Sequence, residues 1–166
     1  MGYSHYWEIK KQKRTAVTDE QNYQKAIRDI HKMVLFAKEN ACNLAGVTSH
    51  TKVGSYGGIN FNGVKSDGHE TFYLTQHFKD NEDFNFCKTA QKPYDVVVVA
   101  ALIILKYHLK DRVRVTSDGE NIDWQAGLKL AKHVCKYRGL KIPKTIRDNS
   151  KLRCIDCGST NIQLNK

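Results

Sequence analysis

The sequence lacks the phosphate-binding motifs of the common nucleotide-using enzymes. It contains no Walker phosphate loop, no Rossmann glycine fingerprint and no kinase motif. It also lacks a long apolar run, since the longest, Val96 to Leu105, has ten residues, about half of the ~20 that a membrane-spanning helix needs. These absences exclude the best-known nucleotide sites and a transmembrane helix, and the apolar run predicts a core helix.

Signals for export are also missing. The start of the chain, Met1 to Trp7, has no charged residue followed by an apolar stretch and no complete myristoylation motif, so we expect neither export nor a lipid anchor. The cysteines are odd in number and irregularly spaced, at Cys42, Cys87, Cys135, Cys154 and Cys157. This pattern favours a reduced, cytoplasmic protein without a disulfide framework.

Proline is scarce and basic charge is unevenly spread. With 166 residues, 40% of them hydrophobic, and only two prolines, the chain suits one domain, predicted at 1–139, followed by a basic tail at 140–166. Residues 129–166 carry ten Lys and Arg against two Asp, so eight of the ten net positive charges lie in the last 38 residues. The basic end predicts a polyanionic partner such as nucleic acid, with simple solubility as the alternative.

Apolar periodicity predicts an α+β fold. Tyr3 to Ile9 alternates as a strand, and Thr18 with Gln21 opens a helix that ends near Asn40. A hairpin at 58–76 and a loop from Phe84 to Asp95 are expected next. A second helix should run from Pro93 to about Leu109, followed by a strand at 112–116. The last helix should be capped by Asn121 or Asp123 and stopped by Gly139 and Pro143. Four consecutive valines leave strand as the alternative for the second helix. The order matches the ferredoxin-like βαββαβ two-layer sandwich, followed by a C-terminal helix and a short cysteine-containing tail.

Several motifs together resemble a family of small phage and prophage proteins. They are the opening MGYSHYW, an INFNG segment at 59–63, HETF at 69–72, FCKTA with KPYD between 86 and 95, and SDG at 117–119. The likeness spans roughly residues 1–135. It implies a phage-type protein acting in host takeover or antidefence and no particular chemistry, and the tail after the last helix looks like an addition.

The densest group of polar side chains lies before the second helix. Lys88, Thr89, Lys92 and Tyr94 would stand beside a helix N-terminus, where unpaired N–H groups and a partial positive charge attract anions. Further side chains could read a base or sugar around this pocket: His5, Trp7, Asn60, Asn62, His69 and Asp118. Each also has an ordinary structural use in turns or in the core.

Three residues are candidates for catalysis. His69 and Glu70 could act as general base and acid if His69 belongs to a turn, because neighbours on a strand point to opposite faces. Cys87, beside Lys88 and near a helix N-terminus, would have a lowered pKa, although a buried structural cysteine is the commoner case.

The tail contains a half-motif for zinc. Cys154 and Cys157 are spaced like one knuckle of a zinc ribbon. His133 and Cys135 could complete the site, or a second subunit could supply another cysteine pair in a homo-oligomer. An exposed reduced pair is the alternative.

The sequence therefore predicts first a protein that binds a small anionic, nucleotide-like molecule. A nucleotide-processing hydrolase or transferase using His69, Glu70 and Cys87 is the second hypothesis. A nucleic-acid-binding module based on the basic, zinc-ribbon-like tail is the third.

Overall fold

The computed structural model of the chain describes residues 2–11, 17–40, 42–46, 50–51 and 55–149. The fold is mixed α+β, which confirms the predicted class. Within these ranges the helices are α1 (Val17–Glu39), α2 (Asp95–Leu109) and α3 (Gln125–Cys135). The strands are β1 (Ser4–Ile9), β2 (Leu44–Ala45), β3 (His50–Thr51), β4 (Ser55–Tyr56), β5 (Ile59–Gly63), β6 (Phe72–Leu74), β7 (Phe84–Lys88) and β8 (Val113–Ser117). None of the helices in the described ranges combines the length and apolar character that a membrane span requires.

Helix α2 is the centre of the core. Its residues from Val97 to Leu105 are all buried, because α1, α3 and β8 all contact it. A helix surrounded in this way needs apolar side chains on every face, which explains the unbroken run in the sequence. Helix was therefore the correct choice over strand for the four valines.

One antiparallel sheet has the strand order β7-β1-β8. Alternate side chains point to opposite faces, so Trp7, Cys87 and Val115 are buried beneath the sheet. On the outer face Tyr6 lies opposite Phe86 on one side and Thr116 on the other.

A second antiparallel sheet has the order β2-β5-β6 and contains the predicted hairpin. Phe61 and Phe72 are paired across the hairpin, and the Phe72 ring lies 5.0 Å from that of Trp7. Aromatic packing therefore joins the two sheets. Strands β3 and β4 form a separate two-stranded pair.

The prediction of a loop from Phe84 to Asp95 is wrong in its first half. Phe84–Lys88 forms strand β7 and pairs with β1 along its length. The buried Cys87 and the exposed Phe84 and Phe86 alternate as a strand next to β1 requires. The ferredoxin-like order is not confirmed, because the β5–β6 hairpin belongs to a sheet separate from β7-β1-β8.

The chain after α3 packs back onto the domain. Leu140 and Ile146 are buried, and the Thr145 hydroxyl donates a hydrogen bond to the Val115 carbonyl of β8. The Asn121 N–H also donates to the Arg147 carbonyl at 2.7 Å. Residues 145–147, which belong to the predicted tail, therefore lie beside β8 and the turn that follows it. The predicted tail beyond residue 149 lies outside the described residues.

Candidate functional site

Four elements meet at one end of the β7-β1-β8 sheet. The start of β1 lies beside the end of β7, since Ser4 is paired with Lys88. The Thr89 N–H donates to the Tyr3 carbonyl at 3.0 Å, and the Asp118 N–H donates to the Ser4 carbonyl at 3.0 Å. Helix α2 begins close by. This strand-end cluster consists of His5, Glu70, Lys88, Thr89, Tyr94, Asp95, Ser117 and Asp118.

His5 stands at the middle of the strand-end cluster. Its Nε2 lies 2.7 Å from Asp95 Oδ1, and its Nδ1 lies 2.9 Å from Ser117 Oγ. The Thr89 hydroxyl donates to the same Asp95 oxygen. These residue types suit a Ser-His-Asp proton relay, but His5 is 0% exposed and both ring nitrogens are occupied. The ring therefore braces β1, β8 and the start of α2 against one another.

Tyr94 and Glu70 also make internal contacts. Tyr94 is buried, and its hydroxyl donates to the Glu70 carbonyl at 2.7 Å. Burial raises the pKa of Tyr94 above its ordinary value. The Glu70 carboxylate accepts the Lys88 N–H at 2.6 Å. Both side chains thus hold the end of β7 in place.

The charges at the strand-end cluster differ from those of a phosphate-binding pocket. Asp95 is the first residue of α2, so its carboxylate already complements the positive end of the helix dipole. The buried Thr89 hydroxyl is bonded to that carboxylate and does not face solvent. The two lysines predicted for phosphate binding, Lys88 and Lys92, remain half-buried at its border. An anion arriving here would meet Asp95 and Asp118 as well as the lysines.

The remaining predicted ligand residues lie in different surroundings. Trp7 lies in the core, whereas Asn60 is exposed on β5. Asn62 fixes the turn after β5, because its Oδ1 accepts the N–H groups of Gly63 and His69 at 2.8 and 3.0 Å. His69 belongs to that turn and is exposed. Glu70, the neighbour of His69, is joined to Lys88 by two hydrogen bonds, of 2.6 and 3.1 Å, so Asn62 and His69 lie on the Glu70 side of the strand-end cluster.

Cys87 is a core thiol. It is 0% exposed, and burial raises its pKa to about 12. The expectation of a lowered pKa is wrong, because Cys87 lies on the buried face of β7 and its Sγ donates to the Glu70 carbonyl at 3.4 Å. Nucleophilic chemistry at this thiol finds no support in its surroundings.

We expect Cys87 to resist alkylation by iodoacetamide at pH 8 in the folded protein, since the buried thiol is protonated at that pH. Peptide mass spectrometry with and without urea measures each cysteine separately. Cys42, which is only partly buried, is the internal comparison. Labelling of native Cys87 as fast as that of an unfolded thiol would contradict the assignment.

The zinc prediction lies largely outside the described residues, because Cys154 and Cys157 are not among them. Within the described part of the chain, no cluster of three or more His, Cys, Asp or Glu side chains is arranged to hold a metal. His133 is exposed near the end of α3, and Cys135 is partly buried.

A cleft of about 560 Å³ opens at the other end of α2. The helix ends at Leu109, and the segment 139–145 crosses its last turn. Leu140 and Ile146 anchor this segment on either side. We call this feature the lysine cleft; its lining comprises Ile103, Lys106, Tyr107, Lys110, Asp111, Gly139, Lys141, Ile142, Pro143, Lys144 and Thr145.

The lysine cleft is basic and partly apolar. Four ammonium groups face one carboxylate, that of Asp111. Lys106 Nζ donates to the carbonyls of Lys110 and Val113, both at 2.8 Å, so the exposed Lys110, Lys141 and Lys144 are the more available groups. The sequence analysis missed this site because its two walls are about thirty residues apart in the chain. The concentration of charge after residue 129 was the available signal.

No protein-family model matches the chain, and no curated protein or solved structure matches it either. The resemblance to phage proteins therefore stays a prediction.

Proposed function

We propose that this protein binds a small, phosphate-bearing, nucleotide-like molecule in the lysine cleft. The observation that supports it is the lining of a single concave space by four lysines and by apolar and aromatic side chains. This proposal keeps the predicted anionic ligand. It places the binding site at the end of α2 opposite to the predicted Lys88–Tyr94 segment.

Charge favours the lysine cleft over the strand-end cluster. The C-terminal end of a helix carries about half a negative charge, which by itself disfavours an anion at the end of α2. Four lysines and one aspartate in the lining leave three net positive charges. The lysines therefore outweigh the dipole. At the start of α2 the dipole is favourable, but Asp95 cancels it.

Size and surface also fit a nucleotide. A volume of about 560 Å³ lies within the range of about 300–1,000 Å³ that small-molecule sites occupy. Ile103, Tyr107, Ile142 and Pro143 supply an apolar lining against which a base or other ring could pack, while the lysines hold phosphate.

We expect the double substitution Lys141→Glu/Lys144→Glu to weaken binding of ATP, used as a probe, at least tenfold. Each change reverses one charge beside the ligand, and both side chains are exposed, so the fold should be preserved. Isothermal titration calorimetry at low ionic strength measures the affinity.

The control is Lys129→Glu/Lys132→Glu, which makes the same change in net charge on the exposed face of α3. It should change ATP affinity less than twofold. Equal losses in both double variants would show a non-specific charge effect and refute a site at the lysine cleft. A loss seen only on replacing Lys88 and Lys92 would return the site to the other end of α2.

The proposal also includes the finer predictions about origin and topology. The motif combination supports a phage-type protein used in host takeover or antidefence, and the cysteine pattern supports a cytoplasmic one. The placement of β7 and β8 on either side of β1, with α2 connecting them, supports a variant of the ferredoxin-like arrangement. Zinc at Cys154 and Cys157 belongs to the same proposal, with the site completed either by His133 and Cys135 or by a second subunit.

A further inference from the structure

The outer face of the β7-β1-β8 sheet carries three aromatic rings in a row. Phe84 and Phe86 are each 55% exposed. The Tyr6 ring is stacked near Phe84, with centroids 6.2 Å apart and planes inclined by 26°, and the Phe84 and Phe86 centroids are 6.5 Å apart. We call Tyr6, Phe84 and Phe86 the aromatic face.

We propose that the aromatic face binds the bases of single-stranded nucleic acid. Open sheets that bind single strands present aromatic side chains on adjacent strands, and unpaired bases stack on those rings. Here the rings lie on the adjacent strands β1 and β7. This inference goes beyond the proposed function because the rings lie on a different surface and need no ligand in the lysine cleft, although Lys144 serves both.

Three of the carboxylates near the aromatic face have partners. Glu8 lies 3.5 Å from Arg114 and Asp83 lies 3.2 Å from Lys11. Asp118 accepts the N–H of Ser4 at 2.9 Å. Repulsion of a phosphate backbone near the rings is therefore reduced.

Positive charge for the phosphates lies along one edge of the same sheet. The hydrogen bonds from Thr145 to Val115 and from Asn121 to Arg147 place Lys144 and Arg147 beside β8 and the turn that follows it. With strands about 4.8 Å apart, this edge lies about 15 Å from β7. A nucleic-acid strand that crosses the sheet from β7 over β1 to β8 would place its bases on the rings and its phosphates near the basic edge. The chain's net charge of +10 favours such a polyanion.

Two alternative occupants fit less well. Duplex DNA or RNA keeps its bases stacked and offers no ring faces to the sheet. A second copy of the chain could cover Phe84 and Phe86, but it would bring an identical basic edge and no complementary charge. Both alternatives are outcomes of the test.

The test measures fluorescence anisotropy of fluorescein-labelled 15-mers of oligo(dT) and oligo(rU) with the full-length protein. We expect Phe84→Ala/Phe86→Ala to raise Kd at least tenfold, because each ring lost removes a stacking partner. The matched control Tyr73→Ala removes an aromatic ring that is 54% exposed on β6 and should change Kd less than twofold. Phe84→Tyr/Phe86→Tyr keeps both stacking rings and should stay within threefold of wild type.

Salt titration separates this inference from the proposed function. The alanine double variant should keep the wild-type dependence of log Kd on log salt concentration, since it removes no phosphate contact. Lys141→Glu/Lys144→Glu should reduce that slope while the rings remain. Equal Kd values for the alanine double variant and wild type would overturn the inference. So would equally tight binding of a 15-base-pair duplex, or a light-scattering dimer that the alanine double variant converts to monomer without any change in Kd.

Discussion

Replacing Gly127 with alanine is expected to lower the free energy of unfolding by about 2 kcal/mol or more. Gly127 lies in α3 where it crosses α2. An added Cβ would stand 2.4 Å from Val99 Cγ1 and 3.0 Å from the backbone nitrogen of Ala100. The two helices would have to separate at the centre of the core. This loss should exceed the gain of about 1 kcal/mol that alanine usually brings to a helix.

The matched control for this substitution is Gly139→Ala, because a Cβ there meets only the Tyr107 ring, at 3.5 Å. Urea unfolding followed by circular dichroism measures both variants. Gly139→Ala should stay within about 0.5 kcal/mol of wild type. If Gly127→Ala were as stable as wild type, the close crossing of α2 and α3 would be incorrect.

The second large effect is expected for Asp29→Ala, which should lower the free energy of unfolding by about 3 kcal/mol. The Asp29 side chain is 3% exposed and lies on α1. It accepts hydrogen bonds from His108 Nε2 at 2.9 Å and from the Tyr137 hydroxyl at 2.8 Å. Removing the carboxylate would leave two polar groups without their partner and disconnect three segments of the fold.

An exposed ion pair provides the comparison for Asp29. Asp83, whose side chain is 82% exposed, pairs with Lys11. Asp83→Ala should lower the free energy of unfolding by no more than about 1 kcal/mol. Equal costs for Asp29→Ala and Asp83→Ala in urea unfolding at pH 7 would contradict the buried network.

The same network predicts a pH dependence. Burial by itself raises the pKa of Asp29, but the hydrogen bonds from His108 and Tyr137 hold it below the ordinary value of 3.8. The folded state therefore favours the ionised form. The contribution of the Asp29 carboxylate to the free energy of unfolding is present above pH 3.8. It is lost as the pH falls through the lower pKa that Asp29 has in the folded state. The stability advantage of wild type over Asp29→Asn should shrink between pH 5 and pH 2.

Periodicity predicted most of the fold because most elements bury one regular face. Helix α1 was expected from the spacing of Tyr23, Ile27 and Ile30, and all three are buried. Strand β7 was missed because Phe84 and Phe86 are large apolar residues that face solvent, so its pattern does not follow the usual rule of apolar side chains inside. The division of the strands into separate sheets depends on which edges meet, and no local pattern encodes that.

The candidate sites were predictable to different degrees. His5, Thr89 and Tyr94, which the sequence motifs include, lie at one end of the sheet. The motifs did not reveal that their polar atoms bond to Asp95 and Glu70 within the protein, because residue type alone does not give hydrogen-bond partners. The lysine cleft requires the chain after α3 to fold back over α2. That return is fixed by the burial of Leu140 and Ile146, two apolar residues without periodic neighbours.

The most direct test of ligand binding at the lysine cleft is an amide-resolved NMR titration of the ¹⁵N-labelled protein with ATP. We expect saturable shifts in two segments, Lys106–Asp111 and Gly139–Thr145, with little change at Lys88–Asp95. Shifts confined to Lys88–Asp95, or no saturable shift at millimolar ATP, would contradict the proposed function.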